Sequence, residues 1–274
     1  MKLTHGCLAA TVAGGALAAP GSTLAERMQH RAMSHQSFPF RSAGDDKDGN
    51  SESRIAATQV QYSNNWAGVV REQPPPEGPY TAVSATFTIP TSTTAPGQSG
   101  LQAGSIWVGI DGDTYTGAIL QAGVDFYSDV NQPNHAWYEW YPAYATNFPN
   151  IAVDEGDTIV ASVRSTSPSH GIAIIENRST GQNATQTLTA PAATATLAGQ
   201  NADWIVEDFQ SGENMVALAE FDQTNFTGAQ AEARGATYGV KDGMVIEMKQ
   251  NNKVLTKTEI TGEYEFNVKY IGDE

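Results

Sequence analysis

An alternation of apolar and polar side chains constrains the fold of this chain more than any other feature of its sequence. In Val83–Ile89 the apolar residues alternate with Ser and Thr, and Tyr264–Tyr270 repeats the pattern. A two-residue period is typical of a β-strand with one buried face. Further short apolar runs follow, separated by Gly, Asp and Asn: Ile151–Val153, Thr158–Val163, Ile172–Ile175, Thr185–Thr189, Ala193–Leu197 and Met244–Met248. Because no stretch shows a long helical period, the sequence predicts an all-β sandwich or barrel.

The stretch Ser105–Phe126 contains two apolar runs joined by Asp111-Gly112, a pair that favours a tight turn. Gln121 lies inside the second run, where a polar amide needs a hydrogen-bond partner or a function. Glu207 likewise follows three large apolar residues. From the residues alone, Gln121 is either a core amide bonded to the backbone or a functional group. Glu207 is either a solvated acid at a strand end or a functional group.

Six sequence blocks occur in a characteristic order over roughly residues 60–270, which is far more specific than one short motif. The blocks are Ser63–Gly68, Val83–Pro90, Trp107–Thr114, Ile119–Gly123, Ala136–Pro142 and Trp204–Phe209. In these blocks the chain resembles the glutamic peptidases of filamentous fungi, the pepstatin-insensitive eqolisins or peptidase family G1. The catalytic pair of that family, a Gln and a Glu, aligns with Gln121 and Glu207.

The resemblance also implies the architecture. Residues 59–274 would form a sandwich of two large, bent antiparallel sheets, lectin-like or concanavalin A-like in outline. On that basis we expect the strands that carry Gln121 and Glu207 to lie side by side on the concave face.

The resemblance implies a secreted acid endopeptidase that acts on polypeptide substrates and needs no metal or cofactor. Glu207 would act first as a general base on water and then, protonated, as the acid for the leaving amine. Gln121 would donate its amide N–H to the developing oxyanion, and because this amide is uncharged at any pH it remains a donor in strong acid.

Two other functions remain open. One is a glycan-binding sandwich that has lost catalysis, since a fold does not fix a function. The other is a glycoside hydrolase that uses Glu139 and Glu207 as paired carboxyls. The presence of Gln121 and Glu207, each in its own block, favours the peptidase.

Three further acids are candidate supporting residues. Glu139 could face Gln121 and orient its amide or contact substrate, or it could be an outward acid between buried aromatic residues. Asp111 and Asp125 flank the glutamine strand and could tune the carboxylate nearby, or they could be turn and surface acids.

Aromatic residues are candidates for the walls of a substrate cleft, because they supply contact area at little entropic cost. Trp66, Trp107 and Tyr141 are of this kind, and core packing is the alternative for each. By resemblance, the loop Tyr141–Asn150 is a flap beside the cleft; otherwise it is an ordinary loop. His135 stands where some relatives have an Asp, so we expect a cation near the cleft in acid.

The N-terminal residues predict export and processing. Lys2, a short apolar run and a small-residue cleavage pattern identify residues 1–19 as a signal peptide. Residues 20–58 are predicted to be a propeptide that covers the active site and acts as the chain's own inhibitor. The alternative is a disordered tail.

The charge balance limits the partners. The formal net charge of −15 argues against nucleic acid and anionic membranes as partners. The only cysteine, Cys7, lies in the predicted signal peptide, so the mature chain has no disulfide and no thiol nucleophile. The segment Gln210–Met215 accordingly lacks the cysteines that close this hairpin in some relatives. We expect a monomer.

Three Asn-x-Ser/Thr sequences, headed by Asn177, Asn183 and Asn225, are candidate glycosylation sites in a secreted chain.

Overall fold

A computed structural model describes residues 35–43, 60–95, 97, 100–212 and 214–272. The predicted signal peptide, residues 1–19, lies outside the described residues. Of the predicted propeptide, residues 20–58, the nine residues His35–Ala43 are described. Within the described ranges every regular element is a β-strand, which confirms the all-β prediction, and no helix there could span a membrane.

The strands are numbered in chain order. They are β1 His35–Gln36, β2 Val60–Ser63, β3 Trp66–Arg71, β4 Ala82–Thr88, β5 Ser92–Thr93, β6 Gln102–Ile110, β7 Ile119–Tyr127, β8 His135–Tyr141, β9 Thr146–Asn147, β10 Thr158–Ser167, β11 His170–Asn177, β12 Gln182–Thr189, β13 Ala202–Glu207, β14 Gln210–Ser211, β15 Asn214–Met215, β16 Ala217–Leu218, β17 Glu220–Phe221, β18 Gln223–Ala233, β19 Ala236–Tyr238, β20 Met244–Gln250, β21 Lys253–Val254, β22 Thr256–Ile260 and β23 Phe266–Tyr270.

Two large sheets carry most of these strands. The first has the order β2-β20-β3-β13-β6-β7-β8-β9, with β16 beside β6 and β21 beside β20. The second has the order β12-β11-β10-β4-β18-β23-β22, with β19 beside β18. The pairing is antiparallel except for β2–β20 and β16–β6, which are parallel. The smaller sheets are β1-β14-β15 and β17-β5.

Most predicted strands are present. The runs that begin at Val83, Thr158, Ile172, Thr185 and Met244 lie in β4, β10, β11, β12 and β20. The predictions for Ile151–Val153 and Ala193–Leu197 are wrong, since both segments are irregular connections that pack apolar side chains on the core.

The two large sheets pack face to face around one core. On β7, Leu120, Ala122 and Val124 point into this core, where they join Phe87 and Val163 from the second sheet. In the strands of the first sheet, the alternate residues point the other way and form a separate apolar layer on its outer face. This layer contains Trp66, Trp107, Ile119, Trp137 and Ile205. The central strands β6, β7 and β13 are therefore buried on both faces. Burial on both faces is typical of strands whose sequences are continuous apolar runs.

The β6–β7 pair forms the centre of the first sheet. Residues 111–118 connect the two strands, and Asp111 and Gly112 have φ of 68° and 123°. Gly123 allows β6 and β7 to approach, because a Cβ there would clash with the Ile106 carbonyl oxygen and the Trp107 backbone.

Candidate active site

The predicted catalytic residues lie on the outer face of the first sheet, but their strands are not neighbours. Glu207 ends β13 and is opposite Ser105 of β6. Gln121 lies on β7, opposite Gly109 of β6 on one side and Glu139 of β8 on the other. The prediction of adjacent strands is wrong, because β6 lies between them. The residues of one strand that share a face are two apart, so β6 presents Trp107 between the two positions.

Glu207 is fully buried, and hydrogen bonds fix both of its carboxylate oxygens. The indole N–H of Trp107 donates to Oε2 at 2.8 Å, and the backbone N–H of Phe38 donates to Oε1 at 3.0 Å. Asn65 Nδ2 lies 3.5 Å from Oε1. Burial raises the pKa of Glu207 to about 7, against the lowering effect of the Ser37 side chain and the Phe38 N–H. The interpretation of Glu207 as a solvated acid is wrong.

Gln121 is also fully buried, with 0 % of its surface accessible to solvent. Neither its Nε2 nor its Oε1 has a hydrogen-bond partner among the described residues. The interpretation as a core amide bonded to the backbone is therefore wrong. Leaving a buried polar group unpaired costs about 1–3 kcal/mol, so this side chain is available to bind a polar group in the cleft.

Glu139 is directly opposite Gln121 and is buried, so the interpretation as an outward acid is wrong. Its Oε2 accepts the backbone N–H of Ser37 at 3.1 Å. Burial raises its pKa well above the ordinary value, and the Ser37 N–H opposes this shift. Because Ser37 and Phe38 are consecutive residues, the carboxyls of Glu139 and Glu207 bind two consecutive backbone N–H groups on the same face of the first sheet.

Ser37 and Phe38 belong to His35–Ala43, which we call the cleft segment and which crosses the outer face of the first sheet. At its start, β1 pairs antiparallel with β14 of the hairpin 210–215. The loop Tyr141–Asn150 holds the same end, because the N–H of Ala145 donates to the His35 carbonyl at 3.0 Å. Further along, the N–H of Phe40 donates to the Gly112 carbonyl at 2.9 Å. Described residues of the predicted propeptide thus cover the predicted catalytic residues.

The predicted aromatic residues line this path. The rings of Trp66 and Trp107 pack edge to face with centroids 5.0 Å apart. Phe40 of the cleft segment packs on Trp66 at 6.2 Å, and Phe38 packs on Tyr141 at 5.8 Å. Cleft wall and core packing are therefore not exclusive for Trp66 and Tyr141, whereas Trp107 contacts Trp66 and Glu207.

Asp111 and Asp125 have different surroundings. Asp111 accepts four backbone N–H groups, from residues 198–201, and so it holds a connecting loop. Burial raises its pKa, and these four donors oppose the shift. Asp125 faces the cleft segment, where its Oδ2 lies 2.9 Å from Nδ1 of His35. His135 is opposite Asp125 in the β7–β8 pair.

The structure adds residues that the sequence analysis did not single out. Asn65, beside Trp66 in the first block, contacts both Glu207 and the cleft segment. Asp203 is four residues before Glu207 on the same face, and neither of its buried carboxyl oxygens has a hydrogen-bond partner among the described residues. Burial raises its pKa well above the ordinary value. The alternation along β13 could have indicated Asp203.

The candidate glycosylation sites differ in exposure. Asn183 and Asn225 are exposed. Asn177 is buried, its Nδ2 donates to the Ala152 carbonyl, and its Oδ1 accepts the N–H of Ser179, so its amide is already engaged.

Comparison with known proteins identifies the class to which this fold and site belong. A family model described as "Peptidase A4 family" matches residues 64–270. The chain belongs to this family of glutamic peptidases, which confirms the resemblance to eqolisins, and it is a hydrolase of the glutamic peptidase type.

The relatives are fungal peptidases. The chain is 44% identical over 223 residues to aspergillopepsin-2 of Aspergillus niger, covering 75% of this chain and 77% of that protein. It is 33% identical over 258 residues to scytalidopepsin B of Scytalidium lignicola, covering 90% of each. The crystal structure of scytalido-glutamic peptidase with a transition state analog inhibitor superposes with a TM-score of 0.69 at 32% identity, over 76% of this chain and 98% of that one. Aspergilloglutamic peptidase from Aspergillus niger gives 0.59 at 45% identity, over 62% and 99%.

Proposed function

We propose that this protein is a secreted acid endopeptidase in which Glu207 and Gln121 perform the hydrolysis and the propeptide occupies the cleft before activation. One observation carries the proposal. Two consecutive peptide N–H groups of the cleft segment, those of Ser37 and Phe38, bind Glu139 and Glu207 beside the unpaired amide of Gln121. A polypeptide is thus the ligand that this face accommodates.

The chemistry follows from these groups. Glu207, ionised, removes a proton from a water molecule, and the resulting hydroxide attacks the carbonyl carbon of the substrate. The Gln121 amide donates its N–H to the oxygen on which negative charge develops. Glu207 then transfers the proton to the amide nitrogen, the C–N bond breaks, and the acid and amine products form.

Neighbouring residues hold the base in position. The Trp107 N–H fixes one oxygen of Glu207 and leaves the other directed at the substrate peptide. Glu139, whose raised pKa keeps it protonated in acid, can accept from the substrate backbone and orient the amide of Gln121 across the strand pair. These are positioning roles, since neither group bonds to the attacked carbon.

While the cleft segment covers Glu207, this residue is held in its protonated form in acid. With the segment in place the pKa of Glu207 is about 7, so in acid the carboxyl is protonated and cannot act as a base. Burial is the largest cause of this shift. Release of the segment admits water to the carboxyl and so weakens that cause, and it also removes the groups of His35, Ser37 and Phe38 that lower the pKa.

Digestion of a denatured protein in acid, with pepstatin present, tests the catalytic assignment. Glu207→Gln should abolish cleavage, and Gln121→Ala should reduce kcat by about a hundredfold or more, as loss of an oxyanion donor does. Asp242→Asn, an exposed substitution in the turn before β20, is the matched control. Proteolysis retained by the Glu207 variant would contradict the assignment, and release of sugar from a glycan substrate would favour a glycoside hydrolase instead.

The inhibitory role of the segment has its own test. Freshly purified full-length chain is diluted into acid, and activity and intact mass are followed together. We expect a lag in activity that ends as the N-terminal mass is lost. Full activity from the first time point, with the chain still intact, would exclude inhibition by the segment. The N-terminus and mass of the exported protein would also test the predicted signal peptide and the occupancy of Asn183 and Asn225.

A further inference from the structure

The side chain of Asn65 is built into the floor of the cleft, where it contacts the backbone of the bound segment at three points. Its Nδ2 donates to the carbonyl oxygens of Phe38 at 3.2 Å and Pro39 at 3.3 Å. Its Oδ1 accepts the N–H of Arg41 at 3.1 Å. Asn65 is 1 % exposed. One side chain thus supplies both a donor and an acceptor to the backbone of the segment.

The orientation of this amide is unambiguous on chemical grounds. A backbone N–H can only donate, so the atom of Asn65 that faces Arg41 must be the oxygen. Carbonyl oxygens can only accept, so the atom that faces Phe38 and Pro39 must be the nitrogen. The same Nδ2 lies 3.5 Å from Oε1 of Glu207, which places the contact beside the proposed base.

Ser63, Asp208 and Gln250 fix the position of Asn65. Its carbonyl oxygen accepts the N–H of Asp208 at 2.9 Å, and Asp208 directly follows Glu207. The Nε2 of Gln250 donates both to Asp208 Oδ2 at 2.7 Å and to the Asn64 carbonyl at 2.8 Å. The hydroxyl of Ser63 donates to Oδ1 of Asn65 at 3.0 Å. The position of Asn65 is therefore tied to the strand end that carries Glu207.

All contacts of Asn65 with the segment lie on the C-terminal side of the Ser37–Phe38 peptide bond, whose N–H faces Glu207. The N–H of Phe38 marks the point nearest the carboxylate, and every backbone atom held by Asn65 comes later in the chain. None of these contacts involves a side chain of the segment, so they carry no sequence preference.

We propose that Asn65 is a substrate-binding residue that holds the backbone of polypeptide substrates on the C-terminal side of the bond to be cleaved. It selects for substrate length and not for side-chain identity. The proposal rests on the proposed peptidase function, and it assigns the cleft segment the register of a substrate.

The proposal is tested by measuring kcat/KM of the wild type and of Asn65→Ala on a long and a short peptide substrate. Two blocked peptides with the same residues before the cleaved bond are compared, one with five residues after it and one with a single residue. Acid-activated wild-type enzyme should give a kcat/KM at least about tenfold higher for the long peptide, as expected for two or more hydrogen bonds. In Asn65→Ala this ratio should fall toward one, with the larger change on the long peptide.

The matched control is Asn177→Ala, which removes another buried asparagine from the second sheet and should leave the ratio unchanged. A merely structural role of Asn65 would lower kcat/KM for both peptides equally, and that result would overturn the proposal.

A second measurement needs no enzyme variant. The peptide of residues 33–43 is tested as a competitor of wild-type enzyme, with and without an N-methyl group on the residue corresponding to Arg41. Methylation removes the N–H that Asn65 Oδ1 accepts, so the inhibition constant should rise about fivefold or more. Equal inhibition by the two peptides would overturn the proposal. If the wild type also fails to digest denatured protein in acid, the peptidase function fails; if it digests that protein, only the role of Asn65 fails.

Discussion

The indole N–H of Trp107 donates a hydrogen bond of 2.8 Å to Oε2 of Glu207 across the β6–β13 pair. Both side chains are fully buried, and Trp107 is packed edge to face against Trp66. The large ring therefore has little freedom, and the direction of its N–H is set by packing. A carboxylate that accepts one fixed donor keeps its second oxygen in a constant position, which is what a general base requires.

Trp107→Phe retains an aromatic ring and removes this donor. We expect kcat/KM on a peptide substrate in acid to fall about tenfold to a hundredfold, because a hydrogen bond to a charged group contributes about 1.5–3 kcal/mol. The loss should appear mainly in kcat, since Trp107 contacts the base and not the substrate backbone.

Trp204→Phe is the control for this change. Trp204 lies on the inner face of the neighbouring strand, β13, and its N–H donates to the Ser84 carbonyl at 3.0 Å. The substitution therefore removes a comparable buried indole without touching the cleft. It should lower the thermal midpoint and leave kcat/KM near the wild-type value. An equal loss of kcat in both variants would mean that Trp107 acts through stability alone.

Stability should decrease as the pH rises from acid toward neutrality, and Asp203 is a principal cause. Burial places the folded-state pKa of Asp203 well above its ordinary value. Between the unfolded and folded pKa values the unfolded chain therefore binds fewer protons, so the free energy of unfolding falls as the pH rises. Thermal midpoints of wild type and Asp203→Asn, compared at about pH 3 and about pH 7, measure the effect. The variant should show a smaller decrease.

Asp242→Asn is the reference here, because Asp242 is exposed. It should show the same decrease as the wild type. If Asp203→Asn also loses as much stability as the wild type over this range, other acids such as the partly buried Asp113, whose pKa burial raises to about 7, are responsible.

Asp111→Ala separates scaffolding from catalysis. The substitution removes the acceptor of four backbone N–H groups, and each buried donor left unsatisfied costs about 1–3 kcal/mol. We expect urea unfolding to give a free energy lower by about 3 kcal/mol or more. The pH profile of kcat/KM for the folded fraction should match that of the wild type. A displaced profile would show that Asp111 tunes Glu207 after all.

Gly123→Ala should prevent the close approach of β6 and β7. A methyl group at this position clashes with the Ile106 carbonyl and the Trp107 backbone, neither of which can move without separating the strands. We expect a large loss of soluble, folded protein. Gly262→Ala, where the nearest atom to the added Cβ is 3.5 Å away, should be well tolerated, and the yields and circular dichroism of the two variants make the comparison.

Local patterns in the sequence were sufficient to predict the all-β class and most strands, because alternation of side chains is a property of each strand by itself. They failed for Ile151–Val153 and Ala193–Leu197, whose apolar residues pack on the core from irregular connections. A short apolar run reports burial and does not by itself report strand geometry.

The sequence by itself determined the family, the identity of Gln121 and Glu207 as candidates, and the alternation that predicted the strands. Only the tertiary structure decided that β6 lies between their strands, that Asp111 holds a loop, and that Asn65 and Asp203 belong to the same face. Strand order and register arise from pairings between residues far apart in the chain, whereas the period of a pattern is set by immediate neighbours. No local signal therefore specifies which strand lies beside which.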